Sequence, residues 1–228
     1  GLPPSSRQPD ARFAPDVIVE TVNRHPNDIT LVATGPLTNI ALALMKDPSL
    51  AQKVNELIII GGAFGFNKFA STNATGDNPV SEWNIYVDPE AAKHVFHAGF
   101  NLTAVGLDVA THERMCLRPQ DYPRLQNANR REARFLLDLM KFVEERGFLQ
   151  YCVLIDSMAI AAAIDPSILQ TLAIHCDVET RGELTLGQTV ADIRNNFRWA
   201  HLPLIQAACD ANFDAFLDLV VGVIAGDT

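Results

Sequence analysis

The sequence has no long apolar run and no cluster of basic residues. Its longest weakly polar stretches, around 159–164 and 217–225, fall well short of the roughly 20 residues that a membrane-spanning helix needs. Lys and Arg number 18 against 27 Asp and Glu, a formal net charge of -9, and no basic block is long enough to follow a phosphate backbone. We therefore expect a soluble protein without a membrane or nucleic-acid partner, and a small neutral ligand remains open.

Cysteines and catalytic signature motifs are also scarce. The four cysteines, Cys116, Cys152, Cys176 and Cys209, are far apart and show no CxxC spacing. We expect buried free thiols and a cytoplasmic location, because disulfides are rare in reducing compartments. No GxGxxG, HExxH, GxSxG or P-loop pattern occurs, which argues against the chemistries that those motifs support. Residues 1–11 contain no apolar segment of a signal peptide.

What is present is an alternation of apolar runs and helical patterns. Three continuous apolar runs, 29–34, 56–60 and 102–107, are typical of strands covered on both faces. The other predicted elements are a strand at 172–179 and helices at 13–24, 37–45, 88–99, 119–146, 157–164 and 213–224. This order predicts an α/β fold with a mostly parallel central sheet flanked by helices, in one domain over 1–228.

Polar residues follow two of these strands, where open parallel sheets bind their ligands. The segment GPLTN (35–39) is either an ordinary strand-to-helix turn or a source of exposed carbonyls and of the Thr38 side chain. The segment after Gly62 is a loop of about 20 residues, a length that is usually functional or disordered. Its amides and its carboxylate suit the hydroxyls of a sugar diol, although a solvated polar loop is the alternative; they are Asn67, Asn73, Asn78, Glu82 and Asn84.

Two carboxylates have specific interpretations. Glu82 and Asn84 would point the same way if the chain around Trp83 were extended. Asp156 lies between the apolar run 153–155 and a helix of small residues. Because a lone buried charge is costly, Asp156 either caps that helix or binds a cation, and the two roles are compatible.

Six segments together resemble the inosine-uridine preferring nucleoside hydrolase family, in order and over nearly the whole chain. They are ATGPLTNIALAL (33–44), IIIGGAF (58–64), NAT followed by PVSEWNIYVDPEAAKHVF (73–96), VGLDVATH (105–112), IDSMAIAAAIDP (155–166) and VETRGELTLGQTVAD (178–192), the last similar to the family's late strand pair. The resemblance implies the nucleoside hydrolase fold and hydrolysis of the N-glycosidic bond of ribonucleosides to ribose and base, as in nucleoside salvage.

The resemblance also implies a cofactor and site residues. A bound Ca²⁺ would activate the attacking water, with Asp156 as a metal ligand and Thr38 supplying its main-chain carbonyl. Asn73, Glu82 and Asn84 would hold the ribose hydroxyls, and Glu82 and Asn84 are the expected catalytic pair. Family members are commonly homodimers or homotetramers.

This sequence departs from the family pattern in several places. The aspartate cluster DxDxxxDD and the HGxDG segment are absent, so we expect a domain incomplete at its amino terminus, completed by a preceding segment or a separate fragment. Ile155 stands where many members have a His that protonates the leaving base, and Ile60 replaces a common Met. An apparent insertion at 76–78 makes Asn78 the alternative to Asn73. A catalytically impaired nucleoside-binding or scaffolding homologue is therefore the second hypothesis.

Overall fold

The computed structural model of the protein describes residues 5–67, 78–194, 196 and 199–227. Its strands are β1 (Thr30–Ala33), β2 (Glu56–Ile60), β3 (Leu102–Val105), β4 (Leu169–Val178), β5 (Thr189–Asp192) and β6 (Leu204–Ala211). Its α-helices are α1 (Ala14–Arg24), α2 (Thr38–Lys46), α3 (Leu50–Lys53), α4 (Trp83–Val87), α5 (Pro89–Phe96), α6 (Leu107–Ala110), α7 (Asp121–Asn127), α8 (Arg131–Glu144), α9 (Tyr151–Ile164) and α10 (Phe213–Ala225). Two 3₁₀ turns, Glu113–Met115 and Pro166–Ile168, complete the elements.

The six strands form one sheet in the order β1-β2-β3-β6-β4-β5. Neighbouring strands from β1 to β6 pair in parallel, and β4 is antiparallel to both β6 and β5. The expected α/β fold with a mostly parallel sheet is thus confirmed. The antiparallel β4–β5 pair lies where the resemblance to the family's late strand pair implied it.

Both faces of the sheet are buried, which explains the continuous apolar runs. Because side chains alternate along a strand, Leu57 and Ile59 belong to one core with buried residues of α1, α2 and α5, whereas Ile58 and Ile60 belong to a second core with α8, α9 and α10. All four of these strand side chains are at most 3% exposed. The sheet is therefore fixed on both sides, and the loops at its strand ends start from a rigid base.

Two helix predictions were wrong. The helix predicted over 119–146 is two helices, because the chain is extended at Ala128 and Arg130, where neighbouring Asn side chains compete with helical hydrogen bonds. The predicted helix 157–164 begins six residues earlier, at Tyr151. Asp156 therefore lies inside α9 and does not cap it, since a short apolar run does not by itself distinguish a strand from a buried helix.

The cysteines are only partly as expected. All four are free thiols, but Cys176 alone is buried, while Cys152 is exposed and Cys116 and Cys209 are intermediate. In the part of the chain that the structure describes, no helix has the length and apolar character required to cross a membrane.

Candidate active site

The carboxyl ends of β1, β2 and β3 lie at one edge of the sheet, because the three strands run parallel. The turns after β2 and β3 touch there: the amide of Leu107 donates to the carbonyl of Gly62 at 2.9 Å. Gly62 has φ +90°, and a Cβ at Gly106 would lie 2.9 Å from the Gly62 oxygen. The backbone angle favours glycine at position 62, and the close approach leaves no room for a side chain at position 106.

Glu82 lies over this edge as the N-cap of α4. Its Oε1 accepts from the amide of Asn84 at 2.9 Å, and its Oε2 accepts from the amides of Ile85 at 3.1 Å and Gly62 at 3.3 Å. The residue is 4% exposed. Burial raises the pKa of the Glu82 carboxyl, the three backbone donors oppose that rise, and the negative charge of Asp156 adds to it.

Asn84 lies close to Glu82 because its backbone amide donates to the Glu82 carboxylate at this cap, and not because the chain is extended. It is 9% exposed, and its Nδ2 donates to the carbonyl of Ile60 at 3.0 Å. Within the described ranges no donor reaches its Oδ1. Both side chains bond to the chain at the end of β2, Glu82 to Gly62 and Asn84 to Ile60, but residues 83–87 are helical and not extended as predicted.

Asp156 lies in α9, and its charge acts on Glu82. Burial raises the pKa of its carboxyl, and its negative charge contributes to the raised pKa of Glu82. The residue is exposed, and in the described chain its carboxylate has neither a hydrogen bond nor an ion pair. Among the described residues, Asp156 is thus a carboxylate without a protein partner, in contrast to the buried Glu82.

Thr38 lies at the start of a helix, as expected, and its side chain is bound to the protein. It is the first residue of α2, and its hydroxyl donates to Oδ2 of Asp88 at 2.5 Å, while Oδ1 of Asp88 caps α5 by accepting from Ala91. The Thr38 carbonyl points along α2, where helical geometry assigns it to the amide four residues later. Thr34 follows β1 directly and lies outside α2, so its carbonyl is better placed at the edge of the sheet.

Two asparagines of the long loop, Asn73 and Asn78, were the alternative ribose contacts. Asn78 is 7% exposed: its Oδ1 accepts from the amide of Val80 at 2.9 Å, and its Nδ2 lies 3.4 Å from the carbonyl of Leu184. These contacts are with the protein, and a ribose contact by Asn78 stays a prediction. Asn73 lies outside the described residues.

Asp108 is a site residue that sequence reasoning missed, although it lies within the quoted segment VGLDVATH. It is 3% exposed, and its carboxylate accepts from four successive backbone amides. The donors, at 2.7 to 3.2 Å, are Phe64, Gly65, Phe66 and Asn67. Asp108 therefore fixes the start of the loop that leads to Glu82. In the sequence, the feature that could have indicated this role was an acidic residue directly after the predicted strand 102–107, at position 108.

The described residues supply the right kind of metal donor but too few. Asp156 and a carbonyl of the turn after β1 are hard oxygen donors, which suit Ca²⁺, yet Ca²⁺ takes six to eight oxygens. No group of three or more His, Cys, Asp or Glu within the described ranges could hold a metal ion. A complete calcium site does not follow from these residues alone.

The fold and the site define an α/β protein with a buried carboxylate, an amide and an open carboxylate at the carboxyl edge of its parallel strands. The family model for inosine-uridine preferring nucleoside hydrolase matches residues 1–218. The chain belongs to this family.

Individual relatives give the same result. The chain is 37% identical to the inosine-uridine preferring nucleoside hydrolase of Crithidia fasciculata over 220 residues, and 35% identical to that of Leishmania major over 224 residues. Each alignment covers 94% of this chain and 66% of the relative. The solved structure of a purine-preferring ribonucleoside hydrolase from Gardnerella vaginalis matches with a TM-score of 0.82 and 30% identity, over 99% of this chain and 69% of that one. This chain thus spans about two thirds of the length of these relatives.

Proposed function

We propose that this chain carries the ribose-binding part of a ribonucleoside hydrolase, which splits the N-glycosidic bond to ribose and free base. The observation that carries the proposal is that Glu82 and Asn84 are both bound to the chain at the carboxyl end of β2, with the charge of Asp156 acting on Glu82. The relatives support the substrate class, since all three are named as nucleoside hydrolases. Because one is named for inosine and uridine and another for purines, we propose no base preference.

The remaining hydrogen-bond capacity of Glu82 and Asn84 suits sugar hydroxyls. A carboxylate offers about four lone-pair sites, and backbone amides occupy three of those of Glu82. One acceptor site of Glu82 and the Oδ1 of Asn84 are left for donors. The vicinal hydroxyls of ribose are such donors, so each oxygen would accept from one of them.

The charge of the site suits the transition state of this hydrolysis. As the bond from C1′ to the base breaks, the electron pair leaves with the base and the sugar becomes positive. A water oxygen then bonds to C1′, and one of its protons is lost while the base gains one. The fixed negative charges of Glu82 and Asp156 would stabilise the positive sugar. Ile155 is apolar, so the proton for the base must come from another group.

We propose Ca²⁺ as the cation of the complete site, with Asp156 as one ligand. The second donor is a carbonyl of the turn 34–38, Thr38 by family resemblance and Thr34 by its place after β1. The Asp156 carboxylate has no partner among the described residues, and its charge raises the pKa of Glu82; both observations support a bound cation there. The other ligands would come from outside the described residues.

Release of reducing sugar from uridine and inosine tests the function. The whole protein should release ribose with Ca²⁺ and lose this activity with a chelator. No release above the chelated control would contradict hydrolysis.

Binding without hydrolysis is the second candidate function, and Ile155 at the leaving-group position favours it. Calorimetry with uridine distinguishes the two. Nucleoside binding that produces heat but no ribose would support an impaired, nucleoside-binding homologue.

A further inference from the structure

We propose that the turn between β4 and β5, residues 179–188, together with Thr189, positions Glu82 and Asn84 for their role in the site. Here "β4–β5 turn" means residues 179–188. This inference rests on the proposed function for its catalytic consequence, but its structural part can be tested without substrate. Thr189 contacts the start of the long loop of the site and the β4–β5 turn contacts its end, although both lie more than a hundred residues later in the chain.

The first contact fixes the start of the loop. The Thr189 Oγ1 accepts from the amide of Ala63 at 2.9 Å and donates to the carbonyl of the same residue at 2.8 Å. Thr189 is 5% exposed. Ala63 follows Gly62, whose amide donates to Glu82, so the Thr189 hydroxyl holds the segment from which one of the three Glu82 donors comes.

The second contact fixes the end of the loop. Ser81, which is fully buried, donates from Oγ to the carbonyl of Leu186 at 2.5 Å. Gly187 has φ +75°, and a Cβ there would lie 2.7 Å from the Cα of Tyr86. The β4–β5 turn therefore rests directly on the backbone of α4, immediately beside Glu82 and Asn84.

The β4–β5 turn has the internal bonds that a positioning element needs. The amide of Gly187 donates to the carbonyl of Glu179 at 2.8 Å, and the amide of Glu179 donates to the carbonyl of Gln188 at 2.9 Å. The Glu179 Oε1 accepts from the amides of Arg181 at 2.7 Å and Gly182 at 3.1 Å. With the start of the loop bound to Thr189 and its end bound to this closed turn, Gly62 and α4 keep a fixed separation, and Glu82 can bond to both at once.

Amide hydrogen exchange on the unliganded whole chain tests this role. Thr189→Val keeps the shape but removes both hydrogen bonds to Ala63, while Thr189→Ser keeps the hydroxyl. Thr171→Val is the matched control, because Thr171 lies at the other end of the hairpin and its hydroxyl bonds only to Gln206 among the described residues. We expect Thr189→Val to speed exchange of the Gly62 and Asn84 amides about tenfold, and Thr189→Ser to restore the slow exchange.

Kinetics on the same variants tests the catalytic consequence. We expect kcat, normalised to the folded fraction, to fall about tenfold or more in Thr189→Val, since small misplacements of a binding group are costly. Thr189→Ser should recover most of it, and Thr171→Val should match the unmodified protein.

Each outcome decides one question. Equal protection of Gly62 and Asn84 in Thr189→Val and Thr171→Val would overturn the positioning role. Equal loss in Thr189→Val and Thr189→Ser would also overturn it, because packing and not the hydroxyl would then be responsible. If the unmodified protein neither binds nor cleaves nucleosides, the proposed function fails, while the exchange result still decides the role of the β4–β5 turn.

Discussion

Glu82 and Asp156 are two carboxylates of one site with opposite surroundings. Glu82 is 4% exposed and accepts from three backbone amides. Asp156 is exposed and, within the described chain, has no hydrogen bond or ion pair. The chain thus holds Glu82 in one orientation without help from a ligand, and leaves Asp156 available to one. We interpret the first as a prearranged binding group and the second as a place for a cation.

The pKa shifts support this comparison. Burial raises the pKa of both carboxyls, and Asp156 raises that of Glu82 further by its negative charge. Two neighbouring carboxylates that both resist ionisation are stabilised by a nearby positive charge. The same arrangement favours positive charge on a bound sugar, so the two carboxylates would act together on the transition state.

The largest expected effect is that of Asp156→Asn. The change keeps the size of the side chain but removes the charge, so we expect turnover to fall on the order of 10³-fold, since a metal ion supplies several kcal/mol of charge stabilisation. The melting temperature without Ca²⁺ should stay equal or rise, because the repulsion on Glu82 is gone. Thermal melts with and without Ca²⁺ check the difference: the unmodified protein should gain stability from the ion and the variant should not. An equal calcium shift in both would show that Asp156 is not a ligand.

The effect of Glu82→Gln should be smaller on activity but larger on stability. A carboxamide offers one acceptor oxygen, so its NH₂ would face an amide that now donates to Glu82. We expect a loss of about 1–3 kcal/mol in the free energy of unfolding, and a loss on the order of 10²-fold in kcat/KM. Denaturant unfolding and steady-state kinetics measure the two. If Glu82→Gln is as stable as Asp156→Asn, the contrast between the two carboxylates is wrong.

The pH dependence of nucleoside affinity gives a third test. The folded-state pKa of Glu82 lies above its ordinary value of 4.5, so as pH falls the carboxylate is protonated earlier than in an exposed glutamate. Affinity should be full above the raised pKa and fall about tenfold per pH unit below it. Glu82→Gln should lack this limb, and a profile that is flat down to pH 4.5 in the unmodified protein would contradict the assignment.

The contribution of Glu82 to the stability of the fold depends on pH in the opposite direction to its contribution to nucleoside affinity. Because the folded chain takes up this proton at a higher pH than the unfolded chain, the contribution of Glu82 to stability rises as pH falls toward 4.5. The difference in melting temperature between the unmodified protein and Glu82→Gln should therefore widen on acidification. A constant difference would show that Glu82 titrates alike in both states.

The parallel strands could be predicted from sequence because burial on both faces leaves a strong local pattern. β2 has the predicted bounds, and β1 and β3 lie within their predicted runs. β6 was missed: it carries Gln206 and Asp210 among its apolar residues, and its burial alternates irregularly. A strand such as β6, which joins the parallel and antiparallel halves of the sheet, therefore has no continuous apolar run to predict it.

The site could be predicted only where its contacts are local. Glu82 and Asn84 are two residues apart, so their proximity was predictable even though a cap and not an extended chain produces it. Asp108 bonds to amides more than 40 residues earlier, and Thr189 bonds to Ala63 across 126 residues. Both depend on the pairing of distant elements, which no local spacing encodes.

The smallest expected effect concerns the turn after β1. Thr38→Val removes the hydrogen bond to Asp88 but keeps every main-chain carbonyl, so we expect a loss of about 1 kcal/mol in stability and no change in kcat/KM or in the calcium shift. Asn23→Ala is the control, because it removes exposed hydrogen bonds that lie away from the site, one donated to Asp47 and one accepted from Lys53. A calcium shift that disappears in Thr38→Val but not in Asn23→Ala would mean that the side chain of Thr38 orders the metal-binding turn. The carbonyl contribution would then depend on the link between α2 and α5, and the contrast between fixed and open groups would extend to the main chain.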